Sequence, residues 1–162
     1  MRILTMTMVL TALCFGTALA QTKATKAAPK AAPKSLALKD LPAADQKTVE
    51  ETLKGGEIKS ISKETEDGVT QYEIESMLNG KHRDFNVDTK GKLIVVEEET
   101  TIDSVPAAAK ATIMKKVGDG KLGLVETFTK PDQPMMYEAA WKTKAGKGQE
   151  VLVNADGTLG KS

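Results

Sequence analysis

The apolar positions change their period several times along the chain. Residues 3–19 form an almost unbroken apolar run behind Arg2, closed by Ala18-Leu19-Ala20. A positive start, an apolar body and small residues at the peptidase-read positions predict a signal peptide over residues 1–20, cleaved before Gln21. Thr5, Thr7, Thr11 and Thr17 inside the run favour a removable leader over a spanning anchor. From residue 21 the apolar signal disappears. Residues 21–38 are mainly Ala, Lys, Pro and Thr, with Ala-Ala-Pro-Lys occurring twice, and such a stretch has too little to bury to be more than a linker.

Beyond the linker the pattern alternates between helix-like and strand-like. Ala44, Val49 and Leu53 fall on one side of a helix that follows Leu41-Pro42. Ala109, Ile113 and Val117 do the same after Val105-Pro106. Proline suits the first helical turn, Asp40 and Ser104 stand where a short polar side chain can cap free N–H groups, and glycines follow to stop both helices. Period-two segments come next, at 57–66, 69–78, 82–88 and 92–99, then at 122–129, at 136–142 and at 149–154. Asp67-Gly68 and Asn79-Gly80 are two-residue hairpin signals, with Lys90-Gly91 a weaker one. Tyr72 and Ile74 alternate with Gln71, Glu73 and Glu75, and Tyr137, Ala139 and Trp141 with Met136, Glu138 and Ala140. That alternation gives each strand a buried face and a wet face.

The chain also repeats itself. Leu41-Pro42-Ala43-Ala44 recurs as Val105-Pro106-Ala107-Ala108, Tyr72-Glu73 as Tyr137-Glu138, and Phe85-Asn86-Val87 as Val151-Leu152-Val153, at an offset of 64 to 66 residues. Ordered matches over a whole unit predict a duplication, with unit 1 over residues 39–102 and unit 2 over residues 103–162. The expected class is α+β: two repeats, each a helix packed on an antiparallel meander of three to four strands. A helix covers one face of such a sheet and leaves the other open.

Charge sharpens the picture. From Asp40 onward 17 basic residues face 22 acidic ones, a balance of −5, which makes a poor nucleic-acid binder. The one cysteine, Cys14, lies inside the leader behind Leu13, where a lipoprotein signal would need a small residue. The mature chain therefore has no thiol for disulfides, thiolate catalysis or zinc ligation. Export without disulfides suits a bacterial periplasm or exterior.

The order Leu-Pro-Ala-Ala, helix, glycine, strand, Asp-Gly turn, Tyr-Glu strand and Asn-x-Asp-Gly with Leu159 resembles the PepSY-like domains. These are grouped with beta-lactamase-inhibitor-like proteins. The resemblance covers both units, from about Lys39 onward. It implies bacterial envelope proteins with helices on one side of a combined antiparallel sheet and the open side available to a protein partner. It also implies inhibition or regulation of a peptidase or other envelope enzyme.

Candidate chemistry is sparse. His82 is the only histidine, in the run Lys81-His82-Arg83, and is expected to be a solvated strand-edge residue with no partner for an activated nucleophile. Gly118-Asp119-Gly120-Lys121-Leu122-Gly123 fits a dinucleotide fingerprint by letter, but a helix precedes it and a strand follows, the reverse of what that site requires. Asn154-Ala155-Asp156-Gly157 resembles part of a calcium loop and is expected to be a hairpin turn. Glu97-Glu98-Glu99 and the group Glu64, Glu66, Asp67 read as solvated charge. No enzyme activity, cofactor or metal site is expected. The leading reading is an exported protein-binding module that touches its partner through Glu73, Glu75 and Glu138. The alternative is a periplasmic protein that binds a ligand or divalent cation on its acidic strands.

Overall fold

The computed structural model describes residues 35–66 and 68–161. The expected leader, Cys14, most of the linker and Asp67 lie outside the described residues. Helix α1 spans Ala43–Leu53 and α2 spans Ala107–Val117. Strands β1 to β7 are Glu57–Glu66, Val69–Leu78, Lys81–Asp88, Leu93–Glu99, Lys121–Thr129, Met136–Lys142 and Gly148–Asn154. They form one antiparallel sheet in chain order. No described helix is long and apolar enough to cross a membrane.

Both helices start one residue after their proline. Pro42 and Pro106 occupy the N-cap position, and their carbonyls accept from Gln46 N (3.0 Å) and Lys110 N (2.9 Å). Asp40 and Ser104 do not cap these helices, contrary to expectation. Each lies in a short 3-10 turn just upstream, too early to reach forward. Asp40 Oδ2 instead accepts from Ala37 N at 3.0 Å, and Ser104 Oγ lies 2.9 Å from Thr101 Oγ1. The end of α1 is also not a glycine: Lys54 takes the left-handed conformation (φ 53°) ahead of Gly55. Gly118 does end α2 and donates back to Met114 O at 3.0 Å.

Strand register decides which side of the sheet each residue occupies, because antiparallel partners share a face and neighbours alternate. Ile74 pairs with Phe85, and Phe85 with Val96. Two residues on, Glu98 pairs with Thr127, and Thr127 with Tyr137. Phe85 and Tyr137 thus lie on one face. The first packs in a core with Val49 of α1, the second against a core with Ile113 of α2. Both helices therefore cover the same side of the sheet. Full burial of residues such as Phe85, Ile74 and Ile113 is worth about 1.5–3 kcal/mol each.

The buried side of α2 carries Ala109, Ile113 and Val117, as the periodicity predicts. That of α1 does not: Asp45, Val49 and Thr52 are buried, while Ala44 is exposed and Leu53 half-buried. Each helix is also tied to a turn. Thr48 Oγ1 donates to Gly91 O (2.6 Å) and Thr112 Oγ1 to Gly157 O (2.7 Å). Residues 35–38, at the end of the expected linker, are tied in too: Leu36 N donates to Ile61 O at 2.8 Å, and Leu36 and Leu38 pack on the first core.

Candidate functional site

The face turned away from the helices is the surface that the fold leaves uncovered. Glu73 and Glu75 alternate with the core residues Tyr72 and Ile74, so they lie on this face, Glu75 exposed and Glu73 half-buried. Glu138 lies between Tyr137 and Ala139 and is half-buried on the same face. The structure thus places the three glutamates on one side, on β2 and β6 rather than on neighbouring strands. Register fills the space between them with more acid. Asp84 pairs with Glu97 across β3 and β4, and Glu99, Glu126 and Glu138 form one row across β4, β5 and β6. Like charges directly opposite each other destabilise a sheet. Neighbouring groups moderate that cost: Ser76 N donates to Asp84 Oδ1 (2.8 Å) and His82 N to Glu99 Oε2 (3.1 Å), while Glu73, which faces Ser62 and Asn86 and no acid, accepts from Ser62 Oγ (3.2 Å).

The open face is not uniformly wet, and here the alternation misleads. Met136, expected among the solvated positions, is only 6% exposed. It packs with Val95 and Phe128, with Ile94 and Leu152 alongside. The backbone of Gly160 closes over this patch: a Cβ there would come within 2.9 Å of both Leu152 and Met136. Gln71, expected to be wet, is 4% exposed, and its Nε2 donates to Glu64 Oε1 at 2.9 Å. The apolar centre is therefore already buried within the fold, and the exposed part of this face is its border of carboxylates. The only advance signal of this centre was Val95 and Phe128 at outward positions, and cross-strand register was needed to bring them together with Met136.

The sites that resemble enzymes or metal centres read differently in three dimensions. His82 is exposed at the start of β3, an interior strand and not an edge, and its backbone N donates to Glu99 Oε2 at 3.1 Å. It lines a cleft of about 310 Å³ with Leu78, Arg83, Glu98 and Glu99, and none of the lining residues is a hydroxyl or thiol nucleophile. Arg83 is not part of a solvated basic run. It is 4% exposed, pairs with Glu98, and donates from Nε to Thr52 O (3.1 Å) at the negative end of α1. Burial lowers its pKa. The glycine run 118–123 lies between α2 and β5. Asn154 to Thr158 form a turn in which Thr158 N and Oγ1 donate to Asp156 Oδ1, holding that carboxyl below its usual range. Among the described residues, no group of three or more His, Cys, Asp or Glu side chains is arranged to hold a metal ion.

Two helices on one side of an open seven-stranded antiparallel sheet define an α+β class whose free face is a broad surface, not a pocket. Several solved structures share it. A Bacteroides eggerthii protein assigned provisionally to the periplasm matches with a TM-score of 0.60 at 14% identity, over 75% of this chain and 86% of that one. A DUF2874 family protein from Bacteroides ovatus matches with a TM-score of 0.58 at 12% identity, over 75% and 85%. A BLIP-like protein from Bacteroides fragilis matches with a TM-score of 0.54 at 18% identity, over 75% and 84%. The likeness establishes a BLIP-like fold. No protein-family model matches the sequence, and no curated protein matches it.

Proposed function

We propose that this chain is an exported, non-catalytic protein-binding module, periplasmic or secreted in a bacterium. On this reading it inhibits or regulates an envelope enzyme, a peptidase in the first instance. The observation that carries the reading is the sheet face turned away from the helices, where Glu73, Glu75, Glu97, Glu99 and Glu138 gather on one side around a centre, Val95, Phe128 and Met136, that is itself buried beside Gly160. The structural likeness to a periplasmic protein and to a BLIP-like protein supports it, as does the leader expected over residues 1–20.

The architecture is read as two PepSY-like units joined edge to edge. The repeated Thr-to-glycine contacts support this, Thr48 with Gly91 and Thr112 with Gly157. So does the close approach of each glycine to the helix start, where a Cβ on Gly91 or Gly157 would come within 2.9 Å or 2.8 Å of Ala44 or Ala108. The test is charge reversal. Glu73→Lys with Glu138→Lys in the mature protein should keep its circular dichroism, weaken capture of the envelope partner and flatten the salt dependence of capture. Unchanged capture by the folded double variant would remove this face from consideration.

A further inference from the structure

The end of the molecule where α2 stops and β5 starts carries a concentrated positive charge. Lys115 and Lys116 stand in the last turn of α2, Lys121 opens β5, Lys142 closes β6, and Lys144 and Lys147 lie in the turn before β7. All six are exposed, and Asp119 is the one acid among residues 114–121 and 142–149. From Asp40 onward the overall balance is −5, so this end opposes the charge of the rest. We propose that this lysine cluster docks the protein reversibly on an anionic phospholipid surface. This end lies apart from the open sheet face, and its test does not involve that face.

Three observations support the docking. The first is that the fold gathers the six lysines. Lys121 pairs with Lys142, and Lys142 with Gly148 beside Lys147. Gly120 packs tightly on the end of β6: a Cβ there would come within 2.7 Å of Lys142 O and 2.9 Å of Val117 O, so the end of α2 lies against the same strand. The second is cost within the fold. Lysines directly opposite each other destabilise a sheet. Lys144 Nζ reaches Asp119 at 2.8 Å, an exposed pair that is worth little. Among the described residues the other five lysines make no ion pair. Lys115 and Lys116 favour the negative end of α2, but Lys121 and Lys142 gain nothing of that kind. Helix α1 with β1 and β2 builds the same corner without such a cluster. There a Cβ on Gly56 would come within 2.6 Å of Met77 O and 3.1 Å of Leu53 O, and the strand pair is Glu57↔Met77. The corner thus forms without opposed lysines, and a local rule broken in one copy only is expected at a functional surface. The third is the kind of charge. The cluster holds lysines and no arginine: hydrated point charges on flexible stems, without the planar fork that recognises single carboxylates or phosphates. Clusters of about four to eight such cations suit a diffuse layer of lipid phosphates. Met114, 42% exposed beside Lys115, adds an apolar side chain at the rim. Docking by this end stands the strands upright, with the turn after β7 far from the lipid.

The test sediments the chain from Gln21 with vesicles of phosphatidylglycerol in phosphatidylcholine. Binding is expected at low salt and not to phosphatidylcholine alone. Salt at about 1 M, where the screening length is about 3 Å, should abolish it. Each lysine near an anionic surface contributes about fivefold to binding. Lys115→Gln, Lys116→Gln, Lys121→Gln and Lys142→Gln together should therefore weaken it by about a hundredfold or more, with the fold confirmed by circular dichroism. Lys142→Glu gives Lys121 an opposite charge across the strands, which favours the fold, and should alone weaken binding about 25-fold. The chain from Gln21 has no cysteine, so an environment-sensitive fluorophore at Ala145→Cys or Ala155→Cys reads which end meets the lipid. A blue shift with vesicles is expected at position 145, before β7, and not at position 155, after it. No sedimentation with phosphatidylglycerol, an equal shift at both positions, or binding that survives the four lysine changes would overturn the proposal. So would binding lost instead when Lys23, Lys26, Lys30 and Lys34 are changed to Gln. Tighter retention on immobilised polyglutamate than on the vesicles would assign the cluster to an acidic protein and overturn it as well.

Discussion

Asp45 shows how far a single residue can depart from its sequence appearance. An aspartate in the first turn of a helix ordinarily faces solvent and favours the helix dipole by about 0.3–1 kcal/mol. Asp45 is instead 0% exposed, at a position matched in α2 by Ala109, and neither oxygen reaches a donor in full hydrogen-bonding geometry. Burial pushes its pKa above the ordinary 3.8; the Gly91 backbone pulls it partly back, and nearby Asp88 raises it again. An unsatisfied buried polar group costs about 1–3 kcal/mol, more than the dipole returns. Asparagine is as polar but carries no charge to desolvate, so Asp45→Asn should stabilise the protein by about 1 kcal/mol at neutral pH. The sign with pH follows from linkage. The folded state favours the protonated acid, so the contribution of Asp45 is fully present below pH 3.8 and is lost as pH rises through the higher folded value. Thermal melts should show little difference between Asp45→Asn and wild type below pH 3.8 and a widening gap above it; a constant gap would contradict this account. Neither Asp45 nor Arg83 was legible in the sequence as a buried residue. Their burial depends on which turn faces α1 and on where its C-terminal carbonyls point, and both are tertiary facts.

At the level of elements, much more was legible, because periodicity and turn chemistry are local. The Asn79-Gly80 turn has both residues at positive φ (54° and 80°), as its hairpin signal requires. The observed strands fall within about one residue of the period-two segments, the usual scatter of element ends. The helix caps were misread because two short 3-10 turns use Asp40 and Ser104 first. The apolar centre of the open face was missed because Val95, Phe128 and Met136 meet only through register across three strands. The turn glycines carry the next prediction. Gly91 has φ 82° and lies against Ala44, whereas Gly146 has φ 77° and open space around it. Gly146→Ala should cost only the left-handed penalty of about 1–2 kcal/mol. Gly91→Ala adds a clash with the start of α1, worth about a further 1–3 kcal/mol. Equal denaturation midpoints for the two variants would show that α1 does not press on this turn.

At the scale of the whole molecule, one sheet joins two cores. The pairing of β4 with β5, from Val96↔Thr129 to Glu99↔Glu126, is the seam, and the Val95–Phe128–Met136 patch crosses it. A domain of about 60 residues buries only about 60% of its unfolded surface and is marginal by itself. A stop after Thr101 should therefore lower the melting temperature by about 10 °C or more. A first half that melts as high as the full chain would show that the seam adds nothing to stability. The same seam makes the open face continuous from Glu73 on β2 to Glu138 on β6, which the binding account requires.

The most direct test of that account is site-specific photo-cross-linking in exporting cells, with the probe at Glu138 on the open face or at exposed Ala111 on α2. The account predicts one discrete cross-linked protein from position 138 and none from position 111. A discrete product from position 111 alone, or the same products from both, would contradict the claim that the open sheet face is where this protein meets its partner.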